Sequence, residues 1–392
     1  MITTINNKHK KLNVPNLRFP EFQGEWKNTT IGEIATIKNG PFGSVLHAED
    51  YVDEGMPIVT TEHFKSGNLP LSKNGIPQVS EDDYCRLKGY MLETDDIVFS
   101  RVGSVDINAH VEHVQQGWLF SGRVLRVRPI KSVNSLCLHY VLSTESVKRD
   151  IRNRAVGQTM PSINTPILSN TGIYMSQSEA EQKKIADLLS LIDERISTQN
   201  KIIEDLKKLK YAISHILFSS KFTNHLSYIA NVVMGQSPSS NAYNDQGIGM
   251  PLVQGNLDIS NGKTTPRLYT SEFNQTAEEG NIILTVRAPV GEVAKATKNV
   301  CLGRGVCAII PHEENMSDFI YQYLTFYKFM WRKYEQGSTF TSINGSDVRN
   351  ILCPEVRNVS ILTLLDSKIS TEERVVKLYQ KQKQYLLRQM FI

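Results

Sequence analysis

Residues 179–218 read EAEQKKIADLLSLIDERISTQNKIIEDLKKLKYAISHILF, forty positions without a glycine or a proline. Ile185, Leu189, Ile192, Ile196, Ile203, Leu206, Ile213 and Leu217 recur at steps of four and three, with Gln199 and Lys210 on the same seam. That is a heptad period, which predicts a helix with one stripe made to face another helix. The partner stripe lies 173 residues further on, in Leu362, Leu365, Ile369, Val376, Tyr379, Leu386 and Met390, and even the seam lysine returns as Lys383. Two matched helices in one chain pack most simply on each other, and the globular stretch between them predicts an antiparallel pair. The alternative is two unrelated amphipathic helices, each lying on its own domain. At a rise of about 1.5 Å per residue the first helix would be about 60 Å long, a rigid spacer.

Working outward, the chain is written twice. Gly157-Gln158-Thr159-Met160-Pro161-Ser162-Ile163-Asn164 returns as Gly337-Ser338-Thr339-Phe340-Thr341-Ser342-Ile343-Asn344, with five of the eight positions identical. Ile34-Ala35 with Gly40 and Ser44 return as Ile229-Ala230 with Gly235 and Ser239, and Asp96-Ile97-Val98-Phe99-Ser100 returns as Asn281-Ile282-Ile283-Leu284-Thr285. The offsets fall along the chain, as expected if loops vary on a kept scaffold. Short β-branched runs at 122–127 and 305–310 read as strands, whereas Leu136 to Ile151, and a segment capped by Ser317-Asp318 and running to Trp331, read as helices. The expected fold is therefore mixed α/β (α+β): two homologous domains separated by two long helices packed as an antiparallel coiled coil, with an internal pseudo-twofold repeat. The expected divisions are a tail at 1–25, domains at 26–176 and 222–356, and helices at 177–221 and 357–392.

The 392 residues carry 44 basic and 40 acidic side chains, so net charge alone identifies no polyanion partner. Its distribution is more informative. From Thr30 to Asp96 there are 5 basic and 12 acidic residues, but from Ile97 to Met160 there are 9 basic and 4 acidic. A phosphate-facing surface is expected in that second stretch. The candidates are Arg101, Arg123, Arg126, Arg128, Lys148, Arg149, Arg152 and Arg154, with Arg287, Lys295, Lys298, Arg304, Arg332 and Lys333 in the second repeat. Gln158, Thr159, Ser338 and Thr339 in the repeated octapeptide either contact phosphate and base or belong to a turn that seats each domain on its helix. Five scattered cysteines without a C-x-x-C pair, no apolar leader and no long apolar run predict a cytoplasmic protein with no membrane segment.

Catalytic constellations are not evident. No [DNS]-P-P-[YFW] methyltransferase loop occurs, Gly262-Lys263-Thr264 lacks the first glycine of a P-loop, and His110 and His113 have no third ligand. Asp205-Leu206-Lys207 is explained by the helix period. No catalytic residue, resident metal or cofactor is expected. Two rival readings stay open: a coiled-coil scaffold without specific DNA binding, and a stand-alone DNA-modifying enzyme.

Several strings, in order along nearly the whole chain, resemble the specificity subunit of type I restriction-modification systems. They are Leu17-Arg18-Phe19-Pro20-Glu21-Phe22 with Trp26, Glu181-Gln182-Lys183-Lys184-Ile185, Gly235-Gln236-Ser237-Pro238, residues 249–255, Arg287-Ala288-Pro289-Val290-Gly291 and Gly303-Arg304-Gly305. The chain departs from the family pattern at Val356-Arg357-Asn358, where the second repeat has no Glu-Gln pair. The resemblance implies a noncatalytic bacterial protein that reads a bipartite site in double-stranded DNA. It further implies docking of two adenine methyltransferase subunits and of translocating restriction subunits. S-adenosylmethionine, ATP and Mg would be bound by those partners, and the target adenine would be flipped by the methyltransferase.

Overall fold

The computed structural model describes residues 13–41, 48–219, 222–336 and 341–392. The chain divides into two compact units, one of Met1–Thr198 with Val376–Ile392 and the other of Gln199–Val375. The division cuts through both long helices, Glu179–Phe218 and Ser360–Gln389, and not at their ends. Each unit therefore contains one stretch of each helix.

In the first unit an antiparallel sheet runs in the order Ala35–Asn39, Val124–Pro129, Ile97–Ser100, Asn108–His110. All four residues of Ile97–Ser100 are buried, because the sheet is covered on both faces. Its side chains alternate accordingly. Ile97, Phe99, Leu125 and Val127 enter a core shared with helices, whereas Val98 and Val124 face a second core with Val59, Phe64 and Phe120. That second core lies beneath a smaller sheet in which Met56–Val59 pairs in parallel with Leu119–Phe120. A two-stranded clip, Lys27–Thr30 against Gly172–Met175, closes the domain next to the start of the long helix.

The second unit repeats this plan with its own insertions. Ala230–Met234, Val306–Pro311, Ile282–Thr285 and Val293–Lys295 form the corresponding sheet, extended here by Lys263–Thr264 and Ile259–Ser260. The same alternation places Ile282, Leu284, Cys307 and Ile309 in one core and Ile283, Val306 and Ala308 in the other. Met250–Val253 pairs in parallel with Val300–Leu302, and the clip is Phe222–His225 against Leu352–Pro354.

Within each unit the two helix stretches run antiparallel. In the first, Lys383 Nζ lies 2.6 Å from Asp193 Oδ1, and Arg195 stacks on Tyr379, so rising numbers on one helix meet falling numbers on the other. Ile185, Leu189 and Ile192 share a core with Leu386, Met390 and Phe391. In the second, Gln199 bonds Glu372, and Lys210 Nζ lies 2.5 Å from Asp366 Oδ1. Every seam position named from the sequence is buried or half-buried, Leu206, Leu365 and Tyr379 being among the half-buried ones.

Three local expectations need correction. The described part of the supposed tail, residues 13–25, is folded: Leu17 N–H donates to Gln389 O at 2.8 Å, and Arg18 reaches a buried Glu181. The single helix expected from Leu136 to Ile151 is two, Ser135–Leu142 and Glu145–Arg154. Ser143 and Thr144 return their hydroxyls to the carbonyls of His139 and Val141, which gives the backbone an alternative to continuing the helix. In the second unit the α-helix is Ser317–Tyr327, with Met316 and not Ser317 at its N-cap, and tightens to a 3₁₀ turn through Lys333.

Candidate nucleic-acid interface

The repeated strings build one backbone frame in each unit. In the first, Gly40 N–H donates to Val124 O, Ser121 N–H to Val59 O, Arg101 N–H to Arg123 O, Ile163 N–H to Arg101 O and Gly103 N–H to Pro161 O. In the second, the same five bonds run from Gly235 to Val306, Gly303 to Val253, Val286 to Gly305, Ile343 to Val286 and Ala288 to Thr341. The octapeptide divides accordingly. Its Ser162 and Ser342 bridge to Val102 and Arg287, its Ile163 and Ile343 are buried, and its Asn164 and Asn344 cap the next helix. That half is structural. Gln158 and Thr159 sit exposed in the loop before it, whereas Ser338 and Thr339 lie outside the described residues.

In the second unit the frame surrounds a polar cavity of about 260 Å³, lined by Ser237, Gln254, Gly255, Arg287, Ala288, Arg304 and Gly305. Its backbone is closely packed. A Cβ on Gly235 would lie 2.1 Å from Gly303 O, and one on Gly305 would lie 2.1 Å from Gln254 O, so both positions require glycine for close approach. Arg304 N–H is held by Ser237 Oγ at 3.1 Å, and Gln254 N–H by the buried Asp258 at 2.9 Å. Asp258 is itself paired to Arg267 at 3.0 Å. The Arg287 and Arg304 side chains are exposed, and neither guanidinium meets a carboxylate among the described residues. The frame thus brings together two arginines from the sequence candidates. It adds Gln254 and Ser237, whose only sequence signal was their place beside the glycines of the quoted strings.

The other candidates separate by what they touch. Arg128 closes a fork on the buried Asp96, at 2.7 and 2.8 Å, and reaches Glu93 as well. The Asp96 hydrogen bond raises its affinity for the proton against the opposing effect of burial. Arg152 bridges Asp106 and Glu145, Arg154 bonds Asp150, and Lys295 bonds Asp318 at 2.6 Å. Each of these four candidates is thus engaged in an ion pair with a carboxylate of its own unit. Arg126 is half-buried, its pKa lowered by burial, with its guanidinium 6.0 Å from the Phe120 ring. Arg101 donates to Gly122 O at 3.1 Å. Arg123, Lys298, Arg332 and Lys333 are exposed. Lys148 and Arg149 line a groove of about 860 Å³ together with Lys383 and Arg388.

The motifs set aside as noncatalytic have local explanations. Asn261 and Gly262 both adopt left-handed backbone, φ 51° and 68°, in a two-residue hairpin between Ile259–Ser260 and Lys263–Thr264. His110 hydrogen-bonds Asp95 at 3.1 Å. Burial lowers its pKa against the pull of that carboxylate. Burial pushes the Cys137, Cys307 and Cys353 thiols up to about 12, far from thiolate character. Among the described residues no group of three or more His, Cys, Asp or Glu side chains is arranged to hold a metal ion, and no helix is long and apolar enough to cross a membrane.

Comparison with known proteins bears on this arrangement. The sequence profile of the type I restriction modification DNA specificity domain matches residues 23–208 and again 223–375. A Methanocaldococcus jannaschii protein named as the MjaX specificity subunit of a type I restriction enzyme is 29% identical over 384 residues, spanning 88% of this chain and 86% of that one. The crystal structure of a type I restriction-modification S subunit from M. genitalium superposes with a TM-score of 0.64 at 19% identity, over 97% of this chain and 99% of that one. A chain from a structure of a type I R-M system, concerned with complex assembly and conformational transition, gives 0.57 at 19% identity over 92% and 96%. These two likenesses bear on the fold.

Proposed function

The chain belongs to the type I restriction modification DNA specificity family, and from that membership we propose that it is a noncatalytic subunit that reads a bipartite target in double-stranded DNA. Each recognition domain takes one half-site, and the paired helices set the gap between the halves. The observation that carries this reading is the duplicated frame: the same five backbone bonds recur in both units, while the side chains mounted on them differ. One scaffold with two sets of side chains is what reading two different short sequences requires.

The helical pair and neighbouring domain faces dock two adenine methyltransferase subunits, and restriction subunits join for cleavage. S-adenosylmethionine, ATP and Mg are held by those partners, and the assembly works in the bacterial cytoplasm. The test is co-expression with candidate type I methyltransferase subunits from the same genome, followed by single-molecule sequencing of modified adenines. Two short half-sites at a fixed separation, each with one modified adenine, are expected. A single uninterrupted motif overturns the bipartite reading. Methyl transfer or DNA cleavage by the purified chain alone overturns the noncatalytic one.

A further inference from the structure

We infer that Gln182 is a positioning residue: it fixes the angle at which the first recognition domain sits on its stretch of long helix, and with it the base-pair gap accepted between half-sites. The inference rests on the two-part DNA reading proposed above and names a residue that holds the gap at one value. Gln182 stands near the start of Glu179–Phe218 and is 3% exposed. Its Oε1 accepts the Asn134 N–H at 2.7 Å, and its Nε2 donates to Ser176 O at 2.8 Å. Asn134 caps the domain's own helix Ser135–Leu142, and Ser176 follows the clip strand Gly172–Met175. One amide thus ties the long helix to two elements of the domain.

Elsewhere this unit's helix and domain meet through apolar side chains: Trp26, Cys137, Ile173, Met175 and Ile185 share one core. Apolar contact is non-directional, so it holds the domain against the helix without choosing an angle. A buried hydrogen bond is directional, and leaving it unmade costs the desolvation of its groups. Gln182 makes two of opposite polarity, one accepted and one donated, and both close together at a single orientation. Glutamine carries both functions on one side chain, whereas glutamate lacks the donor and leucine lacks both. Ser176, itself buried, is also held by the neighbouring Glu181, which accepts its hydroxyl.

The duplication separates this lock from folding. In the helix register the counterpart of Gln182 is Glu355, which is exposed and precedes the helix Ser360–Gln389. The second domain meets its helix through Gln322 and Asp366, a bond matched in the first domain by Tyr140 and Asp193. The common plan therefore closes without the two bonds of Gln182, and the first domain carries them in addition. What they supply is stiffness in angle. A domain of about 150 residues has a radius of gyration of about 15 Å, so a turn of about 10° at the joint moves its far side by about 5 Å. That exceeds the rise of one base pair, about 3.4 Å.

The test uses the full chain with a type I methyltransferase partner and duplexes carrying the two half-sites that the unsubstituted complex selects, their gap shortened and lengthened one base pair at a time. The unsubstituted complex is expected to prefer one gap. Q182A should weaken that preference by at least about fivefold, with the bases required in each half-site unchanged. Q182E keeps the acceptor for the Asn134 N–H and should fall between the two. Continued reading of both half-sites reports that both domains have folded. Three results overturn the inference: an unsubstituted complex indifferent to the gap, a Q182A complex that rejects wrong gaps as sharply as the unsubstituted one, or loss of base preference in either half-site of Q182A, which would make Gln182 part of a domain's fold and not of its angle. If the unsubstituted complex selects no two-part site, the DNA-reading function itself fails, and this inference falls with it.

Discussion

Lys210 Nζ lies 2.5 Å from Asp366 Oδ1, and the residues that match them across the repeat, Lys383 and Asp193, meet at 2.6 Å in the other unit. The offset of 173 maps Asp193 onto Asp366 and Lys210 onto Lys383. Each helix therefore gives an aspartate to one unit's bridge and a lysine to the other's. A lysine on a hydrophobic seam costs stability unless its ammonium is met, and here each one is. Tyr140 OH supports Asp193 at 2.8 Å, and Gln322 Nε2 supports Asp366 at 2.7 Å.

Lys210→Ala should destabilise the second unit by about 1 kcal/mol, the range of a part-exposed ion pair. Asp366→Ala should cost more, because it strands both Lys210 and Gln322. In a double-mutant cycle followed by denaturant unfolding, the coupling should be about 0.5–2 kcal/mol. A coupling of zero would mean that the bridge contributes nothing to the fold.

Adding one heptad to both long helices, after Thr198 and after Val375, keeps the seam in phase and adds about 10 Å of helix. The unspecified gap of the target should lengthen, by up to about 3 base pairs, with both half-sites unchanged. Methylome sequencing that returned new half-sites and the old gap would refute the helices' role as a ruler.

Burial works to raise the pKa of Glu181, but the hydrogen bonds from Arg18 and Ser176 outweigh it and leave the carboxyl lowered. The stability it contributes is fully present above the ordinary glutamate value of about 4.3 and is lost as pH falls through the lower folded value. Thermal melts should therefore show an acid-labile component below about pH 4. Glu181→Gln should remove that pH dependence and loosen residues 13–25 at neutral pH, measured by hydrogen exchange at Leu17, whose N–H is bonded to Gln389.

Gly235→Ala should destabilise the second unit by about 1–3 kcal/mol, since its Cβ would meet two backbone carbonyls and neither can move alone. In the assembled complex, base selection should fail in one half-site and persist in the other. Sequencing of a bound DNA pool distinguishes this from a loss of both.

The long helices were legible because their signal is local: seam residues from Ile185 to Leu217 declare their face by spacing alone, and each is covered in the structure. The duplicated strings likewise showed where the frame would recur. Charge partners were not legible. Arg128 reads as a surface cation until Asp96, 32 residues earlier, is seen beneath it, and counting basic residues cannot find that pairing. The tail was misjudged for the same reason, since Arg18 is anchored by a glutamate 163 residues away. Gln254 was hidden because a lone amide beside a glycine carries no period, and only the folded rim places it with Arg287 and Arg304.

The core of the first unit includes Leu386, Met390 and Phe391. A ribosome making this chain must add about 190 further residues after Thr198 before those side chains exist, roughly 10–40 s at ordinary elongation rates. During that interval the apolar groove that will receive them stands open to water. The domain translated first is thus the last to be finished, and a nonsense mutation near the far terminus would injure the domain encoded nearest the start.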